Sequence, residues 1–300
     1  MLAHLAAAFL SLAFLASVVR ISVPYALAAL GGTWSERSGV VNIGLEGMLL
    51  IGAFAATVGA ERAGSGLAGV VAGAAAGAAV GALYALLVVR FRGKQIVCGV
   101  AINLLADGLT RFLLKATYDS SSNSPRVDAW SWGGAGLLAS LTHPLVIATV
   151  LLVVASHVLL YRTPFGLRVR AVDEHPEAAA SLGVKPARVR VVALIASGAL
   201  AGLGGAWLAA DQRQFVAGMS NGRGYIALAA MIFGKWRPSW VAAAALVFGA
   251  AEATQNALQT AGVGVPEWLV QMLPYVITMV TLAGFIGRAT PPRALGEPLR

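Results

Sequence analysis

The chain has 300 residues, of which 58% are hydrophobic and only 12% charged, a balance that excludes an ordinary soluble domain and fits a chain crossing a bilayer many times. The net charge of +9 matches basic loops beside anionic lipid and needs no nucleic acid partner. The single cysteine, Cys98, excludes an internal disulfide and argues against a metal cluster.

Taken in chain order, Leu2 to Val19 is an apolar run long enough to span at ~1.5 Å per residue. It lacks the basic start of a secretory signal, so it reads as a retained helix. Arg20 interrupts it and Pro24 follows, which predicts a break and an N-terminus on the inside. Tyr25 to Leu30 is then too short to span alone. Gly31 to Gly47 is glycine-rich and carries Glu36, Arg37, Asn42 and Glu46, and Met48 to Ala60 resumes as helix. Two short apolar pieces around a glycine-rich break point to a broken helix at a transport site. The competing reading is a plain cytoplasmic turn with a Glu36–Arg37 pair.

Leu67 to Val89 is a clear span in which Gly69, Gly73, Gly77 and Gly81 form one smooth face for a neighbouring helix. Arg90, Arg92 and Lys94 mark a cytoplasmic loop. Gln95 to Ala116 crosses outward with Asn103, Asp107, Arg111 and Lys115 at intervals of four, a single polar stripe. Asp107 and Arg111 are placed to neutralise each other, while Asn103 is deep enough to face a pathway. Tyr118 to Gly136 is polar and poor in basic residues, so it is placed outside, with Trp130 and Trp132 suited to the interface. Leu137 to Tyr161 returns inward.

Residues 162–190 are the longest strongly charged interval, and their excess of Arg and Lys places them in the cytoplasm. Pro176 suits a first helical turn, Asp173 or Glu174 suits its cap, and Gly183 suits its stop. A short extramembrane helix over Glu177 to Leu182 follows.

Val191 to Ala210 goes out, with Gly198 and Gly202 as a second small-residue pair. Tyr225 to Gly234 is short and leads to Lys235 and Arg237 inside. Trp240 to Leu258 crosses with Glu252, Gln255 and Asn256 on one face, and Trp268 to Ile286 crosses back. The count is an all-α polytopic membrane protein with about nine to ten membrane segments, some broken, in a single permease domain over residues 1–300. Asn42, Glu46, Asn103, Glu252 and Asn256 are the candidate lining of a transport pathway.

Some patterns carry no chemistry. Gly64 to Gly69 satisfies G-x-G-x-x-G without a strand before it. Gly218 to Gly222 satisfies G-x-S-x-G around Ser220, also without an α/β sheet. The four histidines are scattered, so no metal or other cofactor is expected. No Walker A motif is present; an ATP-driven process requires an ATPase on another chain.

Three blocks resemble one family. Ser35 to Met48, SERSGVVNIGLEGM, looks like the signature of nucleoside and simple-sugar ABC permeases within the branched-chain amino acid and ribose permease family. Glu177-Ala178-Ala179 followed by Gly183 is similar to the EAA-x3-G coupling motif of ABC importers. Gly218 to Pro238 resembles the family's late block. The resemblance implies a multi-pass permease subunit in a bacterial cell membrane. It pairs with a second permease subunit, identical or homologous, docks cytoplasmic ATPases at Glu177, Ala178, Ala179 and Gly183, and receives solute from an external binding protein. No covalent chemistry is expected of it. The alternatives are a proton-coupled carrier using Glu46 or Glu252 without an ATPase, and an intramembrane hydrolase at Ser220.

Overall fold

The computed structural model describes residues 11–130, 141–260 and 291–297, with isolated positions 269, 272, 276 and 280. The expected crossing from Trp268 to Ile286 falls largely outside these residues, as does Trp132. The described residues are helical and contain no strand, only an isolated bridge between Asn123 and Val216. In chain order the helices are α1 (Leu12–Glu36), α2 (Leu45–Ala63), α3 (Gly66–Ala85, continued by a π turn, Leu86–Arg90) and α4 (Gln95–Tyr118). They continue with α5 (Pro144–Arg162), α6 (Pro164–Glu174), α7 (Pro176–Ser181), α8 (Pro186–Gln212), α9 (Arg223–Phe233) and α10 (Pro238–Thr260).

Six of them, α1, α3, α4, α5, α8 and α10, are long and apolar enough to cross a membrane. Six of the nine to ten segments expected from the sequence are thus seen among the described residues, which leave out most of the crossing expected from Trp268 to Ile286. Two of the expected segments are different objects. α9 has 11 residues, about 16 Å at ~1.5 Å per residue, half of a ~30 Å hydrocarbon layer. α2 starts beside Asn103 of α4, some 12 Å in from that helix's Gln95 end at ~1.5 Å per residue.

α1 also corrects the expected break. It runs without interruption through Arg20, Pro24 and the Gly31-Gly32 pair to Glu36. Pro24 is tolerated because the helix is buried on all sides from Ser22 onward and its neighbours hold it. Arg20 is satisfied by an ion pair with Asp211 at the far end of α8, and its carbonyl accepts from Trp207 Nε1 at 2.8 Å. The chain breaks later, at Arg37 to Gly44, where Gly39 has φ +87°. That left-handed turn reverses the chain, which re-enters as the start of α2.

The centre is built from α1, α2, α3 and α8. α3 and α8 meet backbone to backbone: a methyl group on Gly77 would land on Gly198 and Gly202, and one on Gly198 would land on Gly77. The two glycine faces expected from the sequence are therefore the two halves of one contact. Dispersion across such a close approach replaces the hydrophobic drive that lipid removes.

Around residues 162–190 two helices stand where one was expected. α6 precedes the six-residue α7, whose N-cap is His175 and makes no side-chain cap bond. Asp173 is therefore not a cap but the fully buried last turn of α6. Gly183 does end α7, at φ +83°, with its N–H donating to the Ala180 carbonyl at 3.0 Å.

Candidate functional site

The starts of α2 and α9 converge. Glu46 lies in the first turn of α2, and its carboxylate accepts from the Gly222 N–H at 2.8 Å and the Gly224 N–H at 2.7 Å. One side chain thus satisfies two of the orphan donors at the N-terminus of α9 and places a negative charge at the positive end of that helix. Gly224 has to be glycine, because a methyl group there would collide with the Glu46 backbone.

Asn103 of α4 closes the other helix start. Its side-chain oxygen accepts from the Gly47 N–H at 2.8 Å, and its amide donates to the Ile43 carbonyl at 3.0 Å and to the Tyr225 hydroxyl at 2.9 Å. Asn103 therefore links the starts of α2 and α9 from α4.

A third layer follows on α10. Glu252 pairs with Arg223 at 2.6 Å and accepts from the Tyr25 hydroxyl. Arg223 also donates to the Met219 carbonyl at 3.1 Å. Glu46, Arg223 and Glu252 thus form a mixed-charge cluster at the α9 start, with Tyr25 of α1 behind it.

The remaining candidates are elsewhere. Asn42 is fully buried; its oxygen accepts from the Gly44 N–H at 3.0 Å and its amide donates to Ser197 of α8 at 3.0 Å. It fixes the re-entering strand of chain against α8. Asn256 is exposed and lies with Arg20 and Asp211 on a cavity of about 550 Å³. The structure therefore gathers Glu46, Asn103 and Glu252, and separates Asn42 and Asn256 from them.

Sequence reasoning did not single out Arg223, Tyr225 or Tyr25. A lone arginine beginning a short apolar helix was the available signal, since such a charge inside a membrane segment demands a partner. Ser220 of the G-x-S-x-G pattern is buried in the turn before α9, and no strand precedes it among the described residues.

At the opposite end of the break a second cluster joins α1, α6, α8 and the segment 291–297. Trp236 donates to Glu36 at 2.7 Å, and Arg37 donates to the Trp236 carbonyl and the Tyr161 hydroxyl, both at 3.2 Å. Arg190 donates to the Ser38 carbonyl at 3.1 Å and the Glu297 carbonyl at 2.8 Å, and the Asp173 carbonyl accepts from Ala294 at 2.8 Å. The Asp173 carboxylate is 3.9 Å from Arg37, too far for a hydrogen bond, and neither of its oxygens has a hydrogen-bond partner among the described residues. Burial pushes its pKa up to about 8, with Arg37 only partly opposing and Glu174 adding to the rise.

α7 sits on the outside of this cluster. Glu177 and Ala178 are exposed, Ala179 is buried, and Leu182 is 85% exposed at the helix end. Glu177, His175, Arg92 and Arg293 border a cavity of about 1000 Å³ beside it.

Residues 14–282 match the family model described as branched-chain amino acid transport system / permease component. A guanosine ABC transporter permease protein of Bacillus subtilis is 38% identical over 296 residues, 92% of this chain and 93% of that one. A nucleoside ABC transporter permease protein of Lactococcus lactis is 35% identical over 303 residues, covering 94% of each. A glucose ABC transporter permease protein of Haloferax volcanii is 27% identical over 285 residues, 88% of this chain and 75% of that one. No solved structure matches. With a model match over most of its length and relatives of this identity on both sides of the α1–α2 break, the chain belongs to the permease-component family of the branched-chain amino acid transport system type.

Proposed function

We propose that the chain is the membrane-spanning permease subunit of an ATP-binding cassette importer for nucleosides, folded as one permease domain over residues 1–300. The observation that carries this reading is the near full-length similarity to the guanosine and nucleoside permease proteins, at 38% and 35% identity. The end holding Arg90, Arg92, Lys94, Lys235 and Arg237 is the cytoplasmic end, by its excess of basic residues. The membrane is the bacterial cell membrane, with α2 and the short α9 adding two segments to the six spans.

α7 is the coupling helix, and Glu177, Ala178, Ala179 and Gly183 form its contact with a cytoplasmic ATPase. Its exposed Leu182 and its seat over the Arg37–Asp173–Arg190 cluster support that role. A movement of α7 is passed through Asp173 and Arg37 to the α1–α2 break, and from there to α2 and α9. A second permease subunit completes the passage, and an extracytoplasmic solute-binding protein supplies it.

Glu46, Asn103 and Glu252 border the passage, at the point where the starts of α2 and α9 meet. Asn42 serves it from behind by holding the break on α8, and Asn256 serves the outer entrance. ATP hydrolysis belongs to the partner ATPase and not to this chain.

The test is uptake by the full complex, reconstituted with its ATPase, binding protein and second permease, against a panel of labelled purine and pyrimidine nucleosides, ribose and glucose. Uptake of nucleosides in preference to free sugars is expected. Uptake of glucose or ribose with no nucleoside uptake would overturn the substrate class.

A further inference from the structure

α4 presents its buried face through Gln95, Gly99, Ile102, Ala106, Thr110 and Leu114, all turned inward. Beside that face runs the stripe Asn103, Asp107, Arg111. Asp107 lies near the middle of this 24-residue span. Arg111 bends back to it, with Nε 3.0 and 3.1 Å from the two carboxylate oxygens. The two side chains are nevertheless 48% and 55% exposed.

The exposed polar surface does not end at α4. A Cβ on Gly218 would stand 3.7 Å from the Arg111 guanidinium. Tyr225 of α9 is 48% exposed and reaches Asn103 through its hydroxyl. Asn221, at the turn before α9, is exposed as well. These side chains make one polar patch across the gap between α4 and α9, running from the middle of α4 toward the 118–130 loop, to which Ala217 is hydrogen-bonded. The other exposed side of α4, with Leu105 and Phe112, is apolar and suits lipid.

We propose that Asp107, Arg111 and Tyr225 line the water-filled solute passage and hold the sugar hydroxyls of the transported nucleoside. An ion pair has no net charge but keeps free carboxylate lone pairs and unused guanidinium N–H groups. That combination fits an uncharged, hydroxyl-rich solute and not an ion. The exposed Tyr225 ring adds an amphipathic surface beside it, suited to a solute with one flat and one polar part. The inference rests on the nucleoside reading given above.

The experiment uses the full reconstituted complex with Cys98→Ser as background. Asp107→Cys, Tyr225→Cys and Leu105→Cys are treated with a membrane-impermeant, charged methanethiosulfonate reagent. Positions 107 and 225 are expected to react at least tenfold faster than position 105, and saturating nucleoside with binding protein is expected to slow both. Reaction no faster at 107 than at 105 would overturn the proposal. So would a disulfide between two Asp107→Cys permease copies without reagent access, since the pair would then be a subunit contact. In a separate arm Asp107→Asn, which preserves size, is expected to cut uptake of ribonucleosides about tenfold and that of 2′,3′-dideoxynucleosides much less. Equal loss for both classes, with assembly intact, would contradict the hydroxyl contact. Uptake of ribose or glucose without any nucleoside uptake by the same complex would overturn the nucleoside reading, while the labelling rates still decide whether the patch faces water.

Discussion

At the scale of single residues, two carboxylates carry most of the argument, and they do opposite things. Glu46 is satisfied: each of its oxygens accepts a backbone N–H of the α9 start. Glu46→Gln turns one of those acceptors into a donor facing a donor. The expected cost is about 1.5–3 kcal/mol, the range for hydrogen bonds to a charged group. It would be read as a lower midpoint of thermal unfolding in detergent, with reduced uptake and the complex still assembled. Unchanged stability and uptake together would remove Glu46 from the account. Asp173 is the unsatisfied one. Its folded-state pKa, raised to about 8 from 3.8 by burial, means that the folded chain binds this proton more tightly than the unfolded chain. Its contribution to stability is thus full below pH ~4 and is lost as pH rises toward 8. Asp173→Asn removes that titration, so the variant is expected to hold its unfolding midpoint between pH 5 and 8 better than the parent, as scanning fluorimetry across that range would register. The same pH slope in both proteins would show that Asp173 stays ionised throughout. The sequence made Glu46 visible because a carboxylate among apolar residues is conspicuous. Asp173 was hidden because it lies in a charged loop, where burial cannot be read from neighbours.

At the scale of helices, long apolar periods were legible and interruptions were not. The spans beginning near Gly66, Gln95, Pro186 and Pro238 lie where hydropathy put them, within a few residues. Arg20 and Pro24 look like breakers in the sequence, and only Asp211, Trp207 and the burial of α1 from Ser22 onward show how they are accommodated. α6 was missed because it is short and charged. The glycine faces of α3 and α8 were seen separately, but their pairing is a fact of tertiary structure. That pairing makes a sharp contrast testable. Gly77→Leu pushes a side chain into the Gly198 and Gly202 backbone and is expected to abolish monodisperse protein on size-exclusion chromatography. Gly108→Ala meets nothing within 4 Å and is expected to leave stability unchanged or raise it, by up to ~1 kcal/mol from helix propensity. A well-behaved Gly77→Leu protein would refute the close α3–α8 contact. On α7, Glu177→Lys and Gly183→Trp alter only exposed positions, although Gly183 also uses a left-handed backbone that tryptophan adopts at a cost. Both variants are expected to insert normally and to lose ATP-dependent uptake, measured beside pull-down of the ATPase. Normal uptake in both would detach α7 from coupling.

At the scale of the molecule, the two charged clusters stand at the two ends of the α1–α2 break. One lies under α7 and the other at the meeting point of the α2 and α9 starts. The same short segment, Arg37 to Gly44, connects them, so a displacement at the α7 end has a covalent and hydrogen-bonded route to the start of α9, as the proposed coupling requires. The sequence showed the glycine-rich break and its resemblance to a permease signature, but not that Trp236 and Arg190 come from distant parts of the chain to hold it. Those partners are separated from the break by well over a hundred residues, and no local pattern announces them. The central claim is that transport through this chain is driven by ATP on a partner subunit. A carrier working alone on Glu46 or Glu252 would draw on a proton gradient instead. The direct measurement is uptake of labelled guanosine into proteoliposomes holding the complete complex, with ATP supplied on the ATPase side and ion gradients collapsed by ionophores. Uptake is expected to require ATP and the ATPase and to be indifferent to the ionophores. Uptake by the permease without ATPase, abolished by a protonophore, would contradict the claim.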